Sequence, residues 1–422
     1  MKVYIETYGC TANRNDSEIM MGILRKKGHE IVLSPDNADA IIINTCIVKH
    51  TTEEKIKFRI NFLKNKYPNK RIIISGCMVT GELESVKNFN LPIIGPRSLD
   101  KISDIAEGKS NYEIHGWTEK PLLPMKSTYP IWIIQLSEGC LGKCTYCITR
   151  FARGKLKSYK PKSIIKSVRT AISKGFKEIW LTSQDNSSYG LDIGTNLAEL
   201  LKEILKIDGD YKIRIGMMNP MFLKNSSNLI DIFKDERIFK FVHIPVQSGS
   251  NKILKLMKRG YTVEEFEHIV KSFRKNPNMT IWTDIIVGFP TETEEEFQMS
   301  VELLKRIKPD YVNVSRYSNR PGTEAKKMKQ VPTEIKKERS RIMSKLVNQI
   351  AFEKNKKWIN WNGKILIDEY NEKKKNFIGR NFAYKPVILD NNSNHKISLG
   401  SKINVKIVDS ASTYLKGILI DD

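Results

Sequence analysis

The chain has 422 residues, 71 of them Lys or Arg against 47 Asp or Glu, giving a formal charge of +24 that is spread along its length and not gathered in a tail. That length leaves room for roughly two or three domains and excludes a small stapled scaffold, while the charge points to a polyanionic partner, the alternative being a lysine-rich surface imposed by genome composition. No apolar run approaches the roughly eighteen residues that cross a bilayer, and Met1-Lys-Val-Tyr-Ile-Glu already reads as a first strand without a signal-peptide pattern, so a cytoplasmic protein with no membrane partner and no disulfide framework is expected.

Over residues 1–108, β-branched runs at 2–8, 39–44 and 70–75 alternate with amphipathic helical patterns at 15–27 and 52–66. Strand, helix, strand predicts a parallel α/β sheet. Each run ends within two residues of a cysteine: Cys10, Cys46 and Cys77. Neighbouring parallel strands lie about 4.8 Å apart and their carboxyl ends face one crevice, so the three thiols are expected to meet there. Unrelated buried cysteines would more often fall within the strands than just beyond them.

Residues 109–130, with Pro121, Pro124 and Pro130, read as a connector. The span 131–323 returns to strand and helix alternation, with strands expected at 131–136, 178–182, 212–217, 240–246, 280–287 and 311–315, a partial (βα)6 barrel. The loop after the first of these strands carries Cys140-Leu-Gly-Lys-Cys144-Thr-Tyr-Cys147. Thiolates suit zinc or iron-sulfur clusters, but a structural zinc site wants four protein ligands, and no histidine or fourth cysteine lies nearby. Three cysteines can instead hold three irons of a 4Fe-4S cluster and leave the fourth open to a small molecule. An incomplete zinc knuckle, or cysteines that only pack, are the alternatives. Gln184 and Asp185, Asn219, Gln247 and Ser248, Gly288, Ser315 and Arg316 all fall at the carboxyl ends of the expected strands, the face on which barrels place their chemistry. For any one of them, closing a loop by hydrogen bonding is the alternative role.

Residues 324–357 form a basic helical segment, read as the solvated face of a connecting helix, with a phosphate track as the second reading. In 358–422, short strands at 365–370, 377–379, 384–389, 403–408 and 415–419 with Asn and Gly turns predict a small closed all-β barrel, an architecture that often binds oligonucleotides. Asn362, Arg380, Lys385 and Lys416 are candidate phosphate contacts there, and Tyr384 or Tyr414 a candidate platform for a base.

Two sets of three cysteines with the dispersed set first, in Tyr8-Gly-Cys-Thr-Ala-Asn13, Asn44-Thr-Cys-Ile-Val48, Ser75-Gly-Cys77 and the CxxxCxxC loop, resemble the methylthiotransferase family of radical S-adenosylmethionine (SAM) enzymes over essentially the whole chain. The resemblance implies a radical SAM 4Fe-4S cluster on Cys140, Cys144 and Cys147, whose open iron chelates SAM. It implies an auxiliary 4Fe-4S cluster, carrying the sulfur to be inserted, on Cys10, Cys46 and Cys77. In that family, reductive cleavage of SAM gives a 5'-deoxyadenosyl radical that abstracts hydrogen from an unactivated carbon, chemistry that side chains alone do not supply. An electron donor such as ferredoxin or flavodoxin is implied with it. By position, Gln184, Gln247, Ser248 and Gly288 are expected to contact SAM, and the final domain is expected to be a TRAM-like RNA-binding module. The stretches Cys144-Thr-Tyr-Cys-Ile-Thr-Arg-Phe-Ala-Arg-Gly154, Leu181-Thr-Ser-Gln-Asp-Asn-Ser-Ser-Tyr-Gly190 and Gly216-Met-Met-Asn-Pro220 look most like the archaeal and eukaryotic branch acting on tRNA that carries N6-threonylcarbamoyladenosine, although Asn319 stands where Ala or Pro is commoner. Competing readings are a sibling enzyme acting on isopentenyl-adenosine tRNA or on a ribosomal-protein aspartate, and a non-catalytic RNA-binding protein stapled by zinc.

Overall fold

The computed structural model describes residues 1–224, 227–390 and 397–420. Its first unit is a parallel sheet of β1 (Lys2–Thr7), β2 (Glu30–Ile31), β3 (Ala40–Thr45), β4 (Arg71–Gly76), β5 (Ile93–Ile94) and β6 (Tyr112–Glu113), in the order β2-β1-β3-β4-β5-β6. Every residue of the central β3, Ala-Ile-Ile-Ile-Asn-Thr, is buried, as a strand covered by helices on both faces requires. The register pairs Thr7 with Asn44 and Asn44 with Ser75, so the carboxyl ends of β1, β3 and β4 are level and the three following cysteines start from one edge.

Three of the six strands have two residues each, too short to leave a periodicity in the sequence, and one of them, β6, falls within the span expected to be a connector. The helix Thr11–Lys26 begins four residues before the expected position. The cause is visible in its first turns: Asn13, Asn15, Asp16, Ser17 and Glu18 are polar yet buried, because this helix lies against the second unit instead of water.

That second unit holds β7 (Ile131–Gln135), the short hairpin pair β8 (Ser137–Glu138) and β9 (Lys157–Ser158), then β10 (Glu178–Thr182), β11 (Lys212–Ile215), β12 (Phe241–His243), β13 (Thr280–Val287) and β14 (Tyr311–Arg316). The six long strands form two parallel triplets, β11-β10-β7 and β12-β13-β14. A parallel bridge from Ile213 to Ile238 and a bond from Met218 N–H to the His243 carbonyl (2.9 Å) join them into an open barrel. Asn15 Nδ2 donates to the Ile133 carbonyl (2.9 Å), and Gln135 Nε2 to Asn15 Oδ1 (2.9 Å), which seats the N-terminal unit on β7.

After the helix Thr333–Lys356, the strands β15 (Asn362–Asn371), β16 (Asn376–Arg380), β17 (Pro386–Asp390), β18 (Lys402–Ser410) and β19 (Leu415–Leu419) close a five-stranded barrel in the order β15-β16-β17-β19-β18. This barrel docks on the central unit through residues that the sequence suggested for RNA. Lys385 is buried, with Nζ donating to Asp310 Oδ1 (2.8 Å) and Asn355 Oδ1 (3.0 Å). Arg380 is held by Asp368 (2.8 Å) beneath Tyr384, whose ring packs on Phe239 and Phe241 at 4.8 and 5.0 Å between centroids. Arg380, Lys385 and Tyr384 are therefore corrected from RNA contacts to docking contacts: their loop faces the central unit, and burying a cation there requires the carboxylate beside it. Lys416, Asn362 and Tyr414 remain exposed, with Lys416 beside Asp390 (3.1 Å).

Replacing Lys385 with Met leaves Asp310 buried without its cation, which should cost about 3 kcal/mol of docking. Hydrogen exchange should then show β15 to β19 losing protection ahead of the central unit; unchanged protection there would contradict this account of the interface.

Candidate active site

The N-terminal cysteines gather around Asn13. The Cys10 and Cys77 sulfurs lie 3.9 and 3.5 Å from its Oδ1, while its Nδ2 donates to the Tyr8 (2.8 Å) and Thr45 (2.7 Å) carbonyls, tying together the loops that carry Cys10 and Cys46. Gly9, at φ +110°, lets the first of these loops close in: a Cβ there would stand 2.9 Å from Cys46 Cβ and 3.1 Å from Cys46 Sγ. Cys46 and Cys77 are buried and Cys10 is exposed.

The second triad sits on the loop after β8. Gly139 N–H donates to Gln184 Oε1 (2.7 Å), fixing the start of the loop, and Gly142 N–H donates to Cys140 Sγ (3.2 Å). A Cβ on Gly142 would lie 3.3 Å from Cys140 Sγ and 3.7 Å from Cys144 Sγ, so this glycine keeps the space between the two sulfurs clear. Buried Arg259 donates Nη1 to Cys144 Sγ (3.3 Å) and Nη2 to Asn219 Oδ1 (3.1 Å).

Burial pushes the Cys77 thiol up to about 12, against the pull of Arg153, and burial with the nearby Asp185 pushes Cys140 up to about 12. Burial also raises Cys46 and Cys147. A metal held there must therefore displace these protons, which ties its binding to proton release. Among the described residues, the one group of three His, Cys, Asp or Glu whose ligand atoms all lie within 4.8 Å is His50, Glu53 and Glu54, and Glu53 is already committed to Arg320 and Lys57. Neither cysteine triad closes that tightly, whereas a tetrahedral zinc ion with Zn–S bonds of roughly 2.3 Å would draw its sulfurs to about 3.8 Å. Two sets of three soft donors, spaced more widely than one zinc ion demands, fit the irons of a cluster.

The two triads are mechanically joined. The short helix Thr149–Arg153 follows Cys147 directly and packs on the turn that Cys77 opens, with Thr80 Oγ1 donating to the Ala152 carbonyl (2.7 Å). Its last residue, Arg153, is 1 % exposed. Arg153 reaches Cys77 Sγ (3.3 Å), Asn13 Oδ1 (2.8 Å), Asp16 Oδ2 (2.7 Å) and Glu138 Oε1 (3.0 Å), and Lys120 meets Asp16 (2.6 Å) and Glu138 from the other side. Burial alone would raise the Asp16 pKa; Arg153 and Lys120 outweigh it and hold it below the usual carboxylate range.

A cavity of about 780 Å³ opens beside this assembly. It is walled by residues 48–51 of the N-terminal unit, by Tyr146, Cys147, Ile148 and Thr149, and by the carboxyl ends of β13 and β14. Cys147 lines it directly, and its N-terminal wall starts two residues after Cys46.

Of the expected SAM contacts, Gln184 orients the cysteine loop, and Gln247, at φ +75°, lines the cavity. Ser248 and Gly288 are corrected to structural roles. Ser248 is fully buried and accepts the Ser250 N–H (3.2 Å), closing its own turn. The Gly288 N–H is taken by Glu292 Oε2 (2.7 Å), and the stem of Lys336 covers its open face. Arg153, Arg259, Asn13 and Asp16 were not singled out from the sequence; the available signal for Arg153, Asn13 and Asp16 was their position within a turn or two of a cysteine, and Arg259, between two helices far from any cysteine in sequence, carried none.

Residues 134–304 match the model of the Radical SAM superfamily, and residues 2–93 that of Uncharacterized protein family UPF0004. A Pyrococcus horikoshii protein named "Probable threonylcarbamoyladenosine tRNA methylthiotransferase" is 46 % identical over 100 % of both chains. The Homo sapiens protein named threonylcarbamoyladenosine tRNA methylthiotransferase is 33 % identical over 100 % of this chain and 74 % of its own. The chain belongs to this methylthiotransferase family of the radical SAM superfamily. The fold is shared more widely: the radical SAM methyltransferase TsrM from Kitasatospora setae superposes with a TM-score of 0.57 at 14 % identity, over 77 % of each chain.

In this family member, replacing Arg153 with Met should cost about 3–5 kcal/mol, since it leaves Asp16 and Glu138 buried with one cation between them. Denaturation monitored on purified protein should show that loss; an unchanged transition would mean the network is not what joins the two units.

Proposed function

We propose that this chain inserts a methylthio group at C2 of N6-threonylcarbamoyladenosine beside the anticodon of tRNA. The observation that carries this reading is the identity of 46 % over the full length with a relative named for that reaction, in a chain whose Cys147 lines a cavity that residues 48–51, just after Cys46, wall on the other side. Cys140, Cys144 and Cys147 would hold the radical SAM cluster, and Cys10, Cys46 and Cys77 the auxiliary one. When bound, these groups supply the one-electron cleavage of SAM and the sulfur, which the protein's own side chains lack.

The residues do the rest. Arg259 and Arg153 point N–H groups at the sulfurs of Cys144 and Cys77 and so would hold these two ligands in place from behind. Gln184 fixes the loop that positions Cys140, and the cavity wall at residues 146–149 brings a bound base next to Cys147. The charge of +24 favours a nucleic acid over a ribosomal-protein loop, and the basic helix Thr333–Lys356, whose first turn lines the cavity, would offer phosphate contacts. An electron donor such as ferredoxin or flavodoxin and a reducing, cytoplasmic setting go with free thiols of this kind. No helix among the described residues is long and apolar enough to cross a membrane.

Anaerobically reconstituted protein should carry about eight irons, and replacing Cys140, Cys144 and Cys147 together with Ala should leave about four. Zinc without sulfide would contradict the cluster assignment. Nucleoside mass spectrometry of a deletion strain should show the methylthio derivative of threonylcarbamoyladenosine replaced by its precursor; an undiminished methylthio derivative would exclude the proposed substrate.

A further inference from the structure

The cavity beside Cys147 has a charge imbalance that the family assignment does not account for. Three charged groups in its wall are already matched: Arg320 by Glu53 (2.5 Å) and Glu82 (3.3 Å), Lys337 by Glu334 (2.9 Å), and Asp284 by His243 (3.0 Å). Arg316, at the end of β14, and Lys336, in the first turn of the helix Thr333–Lys356, have no ion pair among the described residues. Arg316 is exposed and Lys336 half-buried; Lys49 is also exposed and unpaired, but it stands on the opposite, N-terminal wall.

Lys336 is held, not merely present. Its stem lies on Gly288, where a Cβ would come within 2.2 Å of Lys336 Cγ, and its Nζ stands 5.9 Å over the Tyr317 ring. Burial, and then the neighbouring Arg316, lower its pKa. A half-buried Lys336 beside the exposed Arg316 has two like charges without an anion, and an arriving anion relieves their repulsion. The first turn of the same helix adds to the field, because no side chain caps its N–H groups.

We infer that Arg316 and Lys336 form the subsite that takes the free carboxylate of the substrate's threonyl group. The inference rests on the substrate proposed above and deepens it. A threonylcarbamoyl group ends in an α-carboxylate that is ionised at neutral pH, whereas unmodified adenosine has no such charge and an isopentenyl group is apolar. A base whose C2 lies near Cys147 would send its N6 substituent along the cavity wall, and a wall with two unmatched cations suits a carboxylate. The arrangement would also disfavour the sibling substrate, since an isopentenyl group offers neither cation a partner and would cover the half-buried Lys336.

The test is equilibrium binding of the reconstituted holoenzyme to two tRNAs of one sequence, with and without the threonylcarbamoyl group. The wild type should prefer the modified tRNA by about tenfold or more, the scale of a charge-assisted contact. Arg316→Gln and Lys336→Met should each erode that preference, and the double variant should bring it below about twofold, with affinity for the unmodified tRNA little changed. Lys336→Arg, which keeps the charge, should retain it and controls for folding. If the variants weaken both tRNAs alike and flatten the salt dependence, the two cations are phosphate contacts and the inference is overturned. Loss of SAM affinity with the tRNA preference intact would assign them to the SAM carboxylate and overturn it equally. A wild type without preference would instead remove the proposed substrate itself, an outcome distinct from a preference that survives in the variants.

Discussion

The structure depends on one buried guanidinium. Arg153 lies at the end of the cysteine loop's helix, where the first helix, the N-terminal sheet edge and the β8 edge of the barrel meet, and each of those three sends it a partner: Asn13 and Asp16 from the first helix, Cys77 from the sheet edge, and Glu138 from the strand before Cys140. A charge taken out of water in this way costs several kcal/mol unless its partners are complete. Here they are, because Lys120 balances the second carboxylate and Gln135 donates to Asp16 (2.8 Å). Two cations against two anions leave the junction close to neutral. The network therefore specifies how the two units sit more than it adds to their stability.

From that constraint the shared cavity follows. The helix that ends in Arg153 begins just after Cys147, so fixing its end fixes the second triad relative to Cys77. The walls then come from both units, with residues 48–51 on one side and the ends of β13 and β14 on the other. A substrate held there would lie against Cys147, with Val48, two residues after Cys46, in the facing wall. The C-terminal barrel is docked by a separate buried pair, Lys385 with Asp310, so its position is set without using the residues of the cavity.

Much of this was legible in the sequence. The strands Glu178–Thr182 and Thr280–Val287 begin and end where their β-branched runs do, because both are long enough for period and composition to agree. The cysteine positions were equally readable, since a residue placed just past each of three parallel strands is brought to one edge by the register. The two-residue strands were not, because they exist only through pairing with a neighbour. Nor were the roles of Arg153, Arg259 and Lys120: an isolated basic residue in a chain with 71 of them reads as surface until tertiary contacts bury it. The same limit misassigned Arg380 and Lys385, whose charge suggested phosphate while their loop turned toward the barrel. Ser248 and Gly288 sat at strand ends, as site residues do, but their hydrogen bonds are consumed by the turns they close.

The central claim is that two cysteine triads hold two clusters close enough to serve one cavity. Electron paramagnetic resonance of the reduced, reconstituted protein tests it most directly. The account predicts two paramagnetic centres whose signals broaden each other when both are reduced, with the broadening absent from protein lacking either triad. Two full-strength signals that are indifferent to one another, or a single centre, would contradict it.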